Sequence, residues 1–364
     1  MTMPTQKDTP TIEVVNGANA VSGRVQTLMA NDFDVRALRP YIDNKSKRMF
    51  IDNSGGGVTP VGNAVLRKDE WRYLDEEVVN IYRTRLRGVA DLINAGLSMS
   101  LPNAMGITSY EYEDASDMTG AEMNMDGITR GDDDRIEYQL RRLPIPIIHK
   151  GFHFNARVLA ARRRNGIPLS TEHAAVAAAK VAEYQENILF NGTSNFAFDS
   201  GTIYGYTDHP NRNTGSLTAK WDHAISDSSG AAGGEVIIND VRAMKTALIA
   251  DRRYGPYVLY VPTNYETVLD DDYRAAGDDR TVRQRILQLD GIADVRVSDY
   301  LSDDNVLLVQ MSRDTVRWVN GFGATPVQWD EQGGMLTRFR VMAIGLPLIL
   351  KDQTGRSGIA HYTG

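Results

Sequence analysis

The chain has 364 residues, enough to bury a large core and make two domains, with the 42% hydrophobic and 24% charged content of a soluble globular protein. A net charge of −7 excludes a surface built as a whole to coat nucleic acid. The absence of cysteine removes disulfides, thiolate nucleophiles and thiolate metal sites together.

Residues 1–65 read as irregular, with turn-rich pieces at Asp52 to Gly57 and Pro60 to Gly62, and are expected to be either disordered or an arm that orders against something else. The opening MTMPTQKDTPTIEVVNG has no apolar core of signal-peptide length, which predicts a protein that is cytoplasmic where it is made. From Leu66 the character changes: Leu74, Val78, Tyr82, Leu86 and Val89 repeat at helical spacing, predicting a helix over Leu66 to Asp91, with Gly96 as a stop. Thr108 to Asp114 and Arg135 to Pro144 alternate β-formers with charges and read as two half-exposed strands around an acidic loop. Ile145 to Phe154 is an apolar strand, placed near a sheet edge by Pro144 and Pro146. An alanine-rich helix follows over 170–190, capped by Ser170 or Thr171 and ended by Gly192. Ala174, Ala178, Val181, Gln185 and Ile188 share one face, and Lys180, Glu183 and Glu186 are expected away from it.

Asn191 to Asp222 is loop-rich, and Ser226 to Gly234 reads as a linker into a second domain. There, Glu235 to Ala250 is helical, Tyr257 to Val261 is a buried strand, and Thr263 with Glu266 predicts a capping box. A helix through Val282, Ile286 and Leu289 stops at Gly291, followed by strands at Asp294 to Val297, Val306 to Met311 and Thr315 to Val319. This alternation makes a compact α/β domain. Val327 to Leu350 returns as extended chain whose apolar end must be buried, against the long helix. That end, Val341 to Leu350, is too short to span a bilayer.

The sequence carries none of the common motifs for chemistry. The glycines at 55–57 lead into Val-Thr-Pro, not the Lys-Ser/Thr of a phosphate loop, and no G-x-S-x-G elbow occurs. His149 and His153 would converge on a metal only on a helix; on a strand they stand roughly 13 Å apart. The acidic runs 132–134, 270–272 and 278–279 lack the ligand spacing of a calcium loop and read as solvated faces and helix ends. No catalytic residue, cofactor or metal is therefore assigned, and the chain is read as not an enzyme.

The arrangement resembles the Hong Kong 97-type capsid fold of tailed-phage major capsid proteins and encapsulins. The likeness rests on the helix from Leu66 with Trp71 and Leu74-Asp75-Glu76, on the run Leu143 to Ile148 leading through Arg157 to Pro168-Leu169-Ser170-Thr171, on Ile188-Leu189-Phe190-Asn191-Gly192, and on Gly255 to Leu259. It implies an α+β fold. Its parts are an N-terminal arm (1–65), a peripheral domain (66–226, with a spine helix at 170–190 and an extended β-hairpin loop at 111–140), an axial domain (227–321), and a return to the peripheral domain (322–364). The implied function is a major capsid protein assembling with itself, as pentamers and hexamers, into an icosahedral shell around double-stranded phage DNA. Portal, scaffolding and decoration proteins are implied partners, with no membrane, and the implied location is the virion, assembled in the bacterial host cytoplasm. The alternatives are an encapsulin shell around a protein cargo and, more distantly, a soluble hydrolase.

Charge is concentrated in the loop that this resemblance projects from its subunit. From Glu111 to Glu137 there are ten acids, among them Asp114, Asp117, Glu122, Asp126, Asp132, Asp133 and Asp134, against two arginines, a net −8 in a chain of −7. Arg162, Arg163 and Arg164 on a neighbouring subunit are the expected receptors, with Arg141 and Arg142 as second choice. Alternatively the acids merely keep the loop soluble, and the three arginines contact phosphate.

Overall fold

Apolar spacing decides where the helices lie. Lys68–Arg85 (α1) buries Trp71, Leu74 and Val78, and Gly88–Asn94 (α2) buries Val89 and Leu92. The one helix expected from Leu66 to Asp91 is thus two, broken at residues 86 and 87. Leu86 stays buried across the break, so hydrophobic spacing alone reads straight through it. Glu172–Asn191 (α3) is the predicted spine, about 30 Å long at 1.5 Å per residue, and Gly192 ends it at φ +65°. Ala174, Ala178, Val181, Gln185 and Ile188 are all buried, as expected. Glu186 is a correction: it is 1% exposed, because it stands four residues after Ala182 and three before Leu189 on the same inner face.

Gly233–Ala250 (α4) buries Ile237, Val241, Met244 and Leu248. The capping box expected at Thr263 and Glu266 does not form. The chain leaves a strand at Pro262 through a 3-10 turn, Thr263–Tyr265, so Tyr265 takes the cap position of Glu266–Leu269 (α5) without a side-chain bond. Thr281 does cap Val282–Leu287 (α6), its hydroxyl accepting from the Gln284 N–H at 3.3 Å.

The structure, a computed structural model, describes residues 41–42, 49–52, 58–60, 66–115, 138–158, 161, 172–221, 233–274, 278–331, 335–352 and 354–364. Within the stretch expected to be irregular, Tyr41–Ile42 (β1), Met49–Asp52 (β2) and Val58–Pro60 (β3) form a small sheet with Leu66–Arg67 (β4), where the helix was expected to begin, in the order β3-β2-β1-β4. Two to four residues are too few to print a period, which is why the sequence does not announce them. Next come Ser98–Ser100 (β5), Ser109–Ala115 (β6), Tyr138–Pro144 (β7) and Ile148–Asn155 (β8). The loop-rich stretch after the spine holds Thr193–Phe198 (β9), Gly201–Ile203 (β10) and Asn213–Ser216 (β11). The remaining strands are Tyr257–Pro262 (β12), Asp272–Arg274 (β13), Asp278–Thr281 (β14), Ile292–Ser298 (β15), Asn305–Gln310 (β16), Val316–Glu331 (β17), Leu336–Ile349 (β18) and Ile359–Thr363 (β19).

The chain divides into two compact units. The first comprises Met1–Ile81, His149–Ala178 and Ala324–Met342, and the second Tyr82–Ile148, Ala179–Gly323 and Ala343–Gly364. In the first, β8 is an edge strand, as expected from Pro144 and Pro146 just ahead of it, and Phe152 stacks on Phe339 at 5.2 Å with Phe154 edge-on to both.

The second unit is built on a five-stranded sheet in the order β11-β19-β16-β12-β15. Both faces of this sheet are covered, so β12 reads as a continuous apolar run. On one face Leu259, Val261, Val306, Leu308 and Ala360 meet α4 and α6. On the other, Val258, Tyr260, Leu307, Val309 and Ile359 meet Ala182, Leu189 and Phe190 of the spine and Val89 and Leu92 of α2. The end of β18 is buried as expected, and Gly345 lies against the spine, where an added Cβ would come within 2.9 Å of Gln185 Nε2 and 2.7 Å of Trp318.

Candidate functional site

Two features of the second unit bear on function: the root of the acidic hairpin and a polar cluster buried under the spine. The alternation in residues 109–144 builds the root as expected. β6 and β7 pair antiparallel from Ser109↔Pro144 to Ala115↔Tyr138. Glu111 therefore faces Arg142, whose Nε lies 2.9 Å from Glu111 Oε1. The same guanidinium reaches Asp199 Oδ1 at 2.8 Å, in the positive-φ turn Asp199-Ser200 between β9 and β10. At Gly201 an added Cβ would stand 2.5 Å from the Arg142 carbonyl oxygen, so only glycine lets β10 pass across β7. Arg142, a second-choice receptor for a neighbour's acids, thus pins its own hairpin to its own subunit.

Arg141 is exposed on the opposite side of β7 and donates to Gln139 Oε1 at 3.2 Å. Asp114 sits in β6 opposite Gln139. Asp117, Glu122, Asp126, Asp132, Asp133, Asp134, Arg162, Arg163 and Arg164 lie outside the described residues. Tyr138 and Leu140, on the Arg142 side of β7, and Phe196 and Phe198 of β9 are exposed apolar side chains at this root.

The sequence does not announce the buried cluster. Glu186 turns its carboxylate to the start of α2, which has no side-chain cap of its own, and Oε1 accepts from the Val89 N–H at 3.3 Å. Burial pushes the Glu186 pKa up to about 7; the backbone N–H groups of Val89, Gly88 and Arg87 pull it down, and the charge of Asp91 adds to the rise. Asp91 accepts from Tyr260 Oη at 3.2 Å and lies 3.6 Å from Arg296. Its pKa too is raised by burial, against the pull of Arg296. Tyr206 and Tyr260 stack at 6.2 Å with Phe190 edge-on to each, and burial raises both phenols well above their ordinary value. The neighbouring Gln185 accepts from Tyr82 Oη. The signal for it is Glu186 itself, at i+4 from Ala182 and three residues before Leu189.

Glu186, Tyr206 and Tyr260 of this cluster are buried, while Arg296 at its edge is exposed. Among the described residues no group of three or more His, Asp or Glu side chains could hold a metal, and no helix is long and apolar enough to cross a membrane. His149 and His153 lie on the exposed side of β8, the strand reading that separates them.

A spine helix beneath a five-stranded sheet, a two-stranded hairpin leaving the same unit and two long strands returning late in the chain make up the Hong Kong 97-type fold of phage capsids and encapsulin-like shells. The chain belongs to DUF6260, a family of unknown function whose model matches residues 61–361. It is 25% identical over 231 residues to the Type 1 encapsulin shell protein EncA of Myxococcus xanthus, covering 62% of this chain and 71% of that protein. The capsid of Myoviridae phage XM1 superimposes with a TM-score of 0.56 at 10% identity, over 71% of this chain and 86% of that one. The virus-like particle from Pyrococcus furiosus does so with a TM-score of 0.52 at 13% identity, over 80% and 98%.

Proposed function

We propose that this protein is a tailed-phage or prophage major capsid protein that closes with copies of itself into an icosahedral shell around double-stranded DNA. The fold carries the reading: a framework shared with phage capsids and encapsulin-like shells. In this reading residues 66–226 and 322–364 are the peripheral domain, 227–321 the axial domain directed at the local symmetry axis, and 1–65 the arm. One fold reused in pentamers and hexamers closes the shell. The hairpin supports it further. β6 and β7 run seven residues each, roughly 23 Å, and a net −8 between residues 111 and 137 suits docking on a neighbour's basic patch such as Arg162 to Arg164.

A second reading, an encapsulin shell around a protein cargo, is favoured by the sequence likeness to EncA. Electron microscopy of particles purified from the producing bacterium, with their contents analysed after nuclease treatment, decides between them. Closed shells protecting DNA are expected. Shells holding protein and no DNA would install the second reading, and small oligomers alone would overturn both. Within the first reading, Arg162→Glu, Arg163→Glu and Arg164→Glu together should block assembly, and lysines replacing Asp132 to Asp134 should partly restore it. Normal shells from the triple variant would remove the docking idea and leave the capsid reading standing.

A further inference from the structure

The turn that follows the spine meets the strand β19 through Arg212 and His361, and His209 closes the turn itself. His209 ends a tight turn, its N–H bonded to the Gly205 carbonyl at 3.2 Å, and Arg212 N–H returns to the His209 carbonyl at 3.2 Å. The Arg212 guanidinium then bridges outward. Nη1 donates to the His209 carbonyl at 3.0 Å, and Nε donates to His361 Nδ1 at 3.1 Å. His361 lies in β19 opposite Thr214 of the edge strand β11 and is buried, as is His209.

The donors fix the state of both rings. An arginine Nε–H and a backbone N–H can only donate, so the ring nitrogens facing them must accept. His361 Nδ1 faces Arg212, and its Nε2, 3.0 Å from Asn305 Oδ1, carries the proton. His209 Nδ1 accepts from the Asn211 N–H at 3.3 Å, with its ring edge-on to Tyr204. Neither ring can take up a second proton without surrendering a hydrogen bond.

The surroundings add cations and little to balance them. Lys351 and Arg212 both act on His209, and Arg212 acts on His361. Asp208 is near Arg212, but its Oδ1 is held by the Gly205 N–H at 2.6 Å; Asp251 accepts from Asn213 at 2.6 Å and lies 3.9 Å from Arg356.

We propose that His209, Arg212 and His361 form an acid-released latch, which ties the turn after the spine and the edge strand β11 to β19 at neutral pH and lets them go when the imidazoles are protonated. Burial first, then Lys351 and Arg212 for His209 and Arg212 for His361, lowers each imidazole from 6.5 to about 4. With folded values depressed, the latch is at full strength above pH 6.5 and weakens as the pH falls from there towards 4. Between neutral pH and pH 5 the local opening constant should rise roughly thirtyfold for each histidine.

Hydrogen–deuterium exchange of the assembled protein at pH 7.5 and 5.0, corrected for intrinsic rates, tests this. Peptides covering residues 205–216 should lose protection more than tenfold at pH 5.0 while those covering 257–262 do not. In the double variant His209→Asn, His361→Asn, whose amide oxygens accept in place of Nδ1 and do not titrate, that acid loss should vanish. Equal protection of wild type at both pH values, or equal acid sensitivity of the variant, overturns the latch. If the variant does not fold, exchange at the histidine C2 position, read by mass spectrometry on wild type, gives each imidazole's pKa directly. Values well below 6.5 for both His209 and His361 support the latch, and a value near or above 6.5 for either overturns it.

Discussion

Glu186→Gln isolates the cost of keeping an acid under the spine. The amide keeps an oxygen to accept from the Val89 N–H, so the cap on α2 survives while the charge is removed. The folded pKa is raised, so between pH 4.5 and 7 the folded state holds a proton that the unfolded state has released, and stability falls as the pH rises through that window. A rise from 4.5 to about 7 corresponds to about 3 kcal/mol at full ionisation, at 1.36 kcal/mol per unit. The backbone N–H groups around the carboxylate relax with it, so a gain of ~1–3 kcal/mol is expected for the variant above pH 8, and none at pH 4. In thermal unfolding followed by tryptophan fluorescence this is a Tm difference of roughly 2–5 °C that grows with pH. Other titrating groups are common to both proteins, so the difference reports residue 186. A difference that is flat in pH, or largest in acid, would refute the buried-carboxylate argument.

Three other substitutions probe the framework. Ala178→Trp adds a large ring to a fully buried position of the spine, and the strain of ~1–3 kcal/mol or more should leave no soluble shells by electron microscopy. Gly345→Val would put a Cβ 2.7 Å from Trp318 and 2.9 Å from Gln185 Nε2, and should lower Tm by several degrees in thermal unfolding. Arg142→Glu sets a third acid against Glu111 and Asp199; because all three are well exposed, global stability should fall by only about 1 kcal/mol, while limited proteolysis between residues 116 and 137 speeds up.

What the sequence makes legible follows from how far each signal reaches. The spine, α4 and α6 are each announced by apolar spacing within one element, and Gly192 and Gly291 by their place after it; both have positive φ. The hairpin strands show as alternation, and their pairing follows from adjacency. Interactions spanning distant segments do not show. Asp199 meets Arg142 across 57 residues, and Glu186 meets Val89 across 97. A lone glutamate carries a strong prior for solvent, and the phase of Glu186 against Ala174 and Ala178 points the same way; only its spacing from Ala182 and Leu189 puts it inside. The capping box failed for a different reason: the Thr263-x-x-Glu266 pattern is present, but the strand exit at Pro262 uses those residues for a 3-10 turn first.

The place of β19 has a consequence for synthesis. It lies between β11 and β16, pairing parallel to one and antiparallel to the other, and residue 213 waits for residue 360 before it has a partner. Every other strand of that sheet is translated earlier, so on the ribosome the sheet stands split, with β11 apart from β16, β12 and β15. Closing it requires a contact across nearly 150 residues, which is entropically slow to find. A nascent chain therefore cannot present the finished second unit to a neighbour. Subunits made side by side on one messenger would be kept from joining until each has released this stretch, and a chaperone that shields the open edge of β16 during that interval would raise the yield of soluble protein.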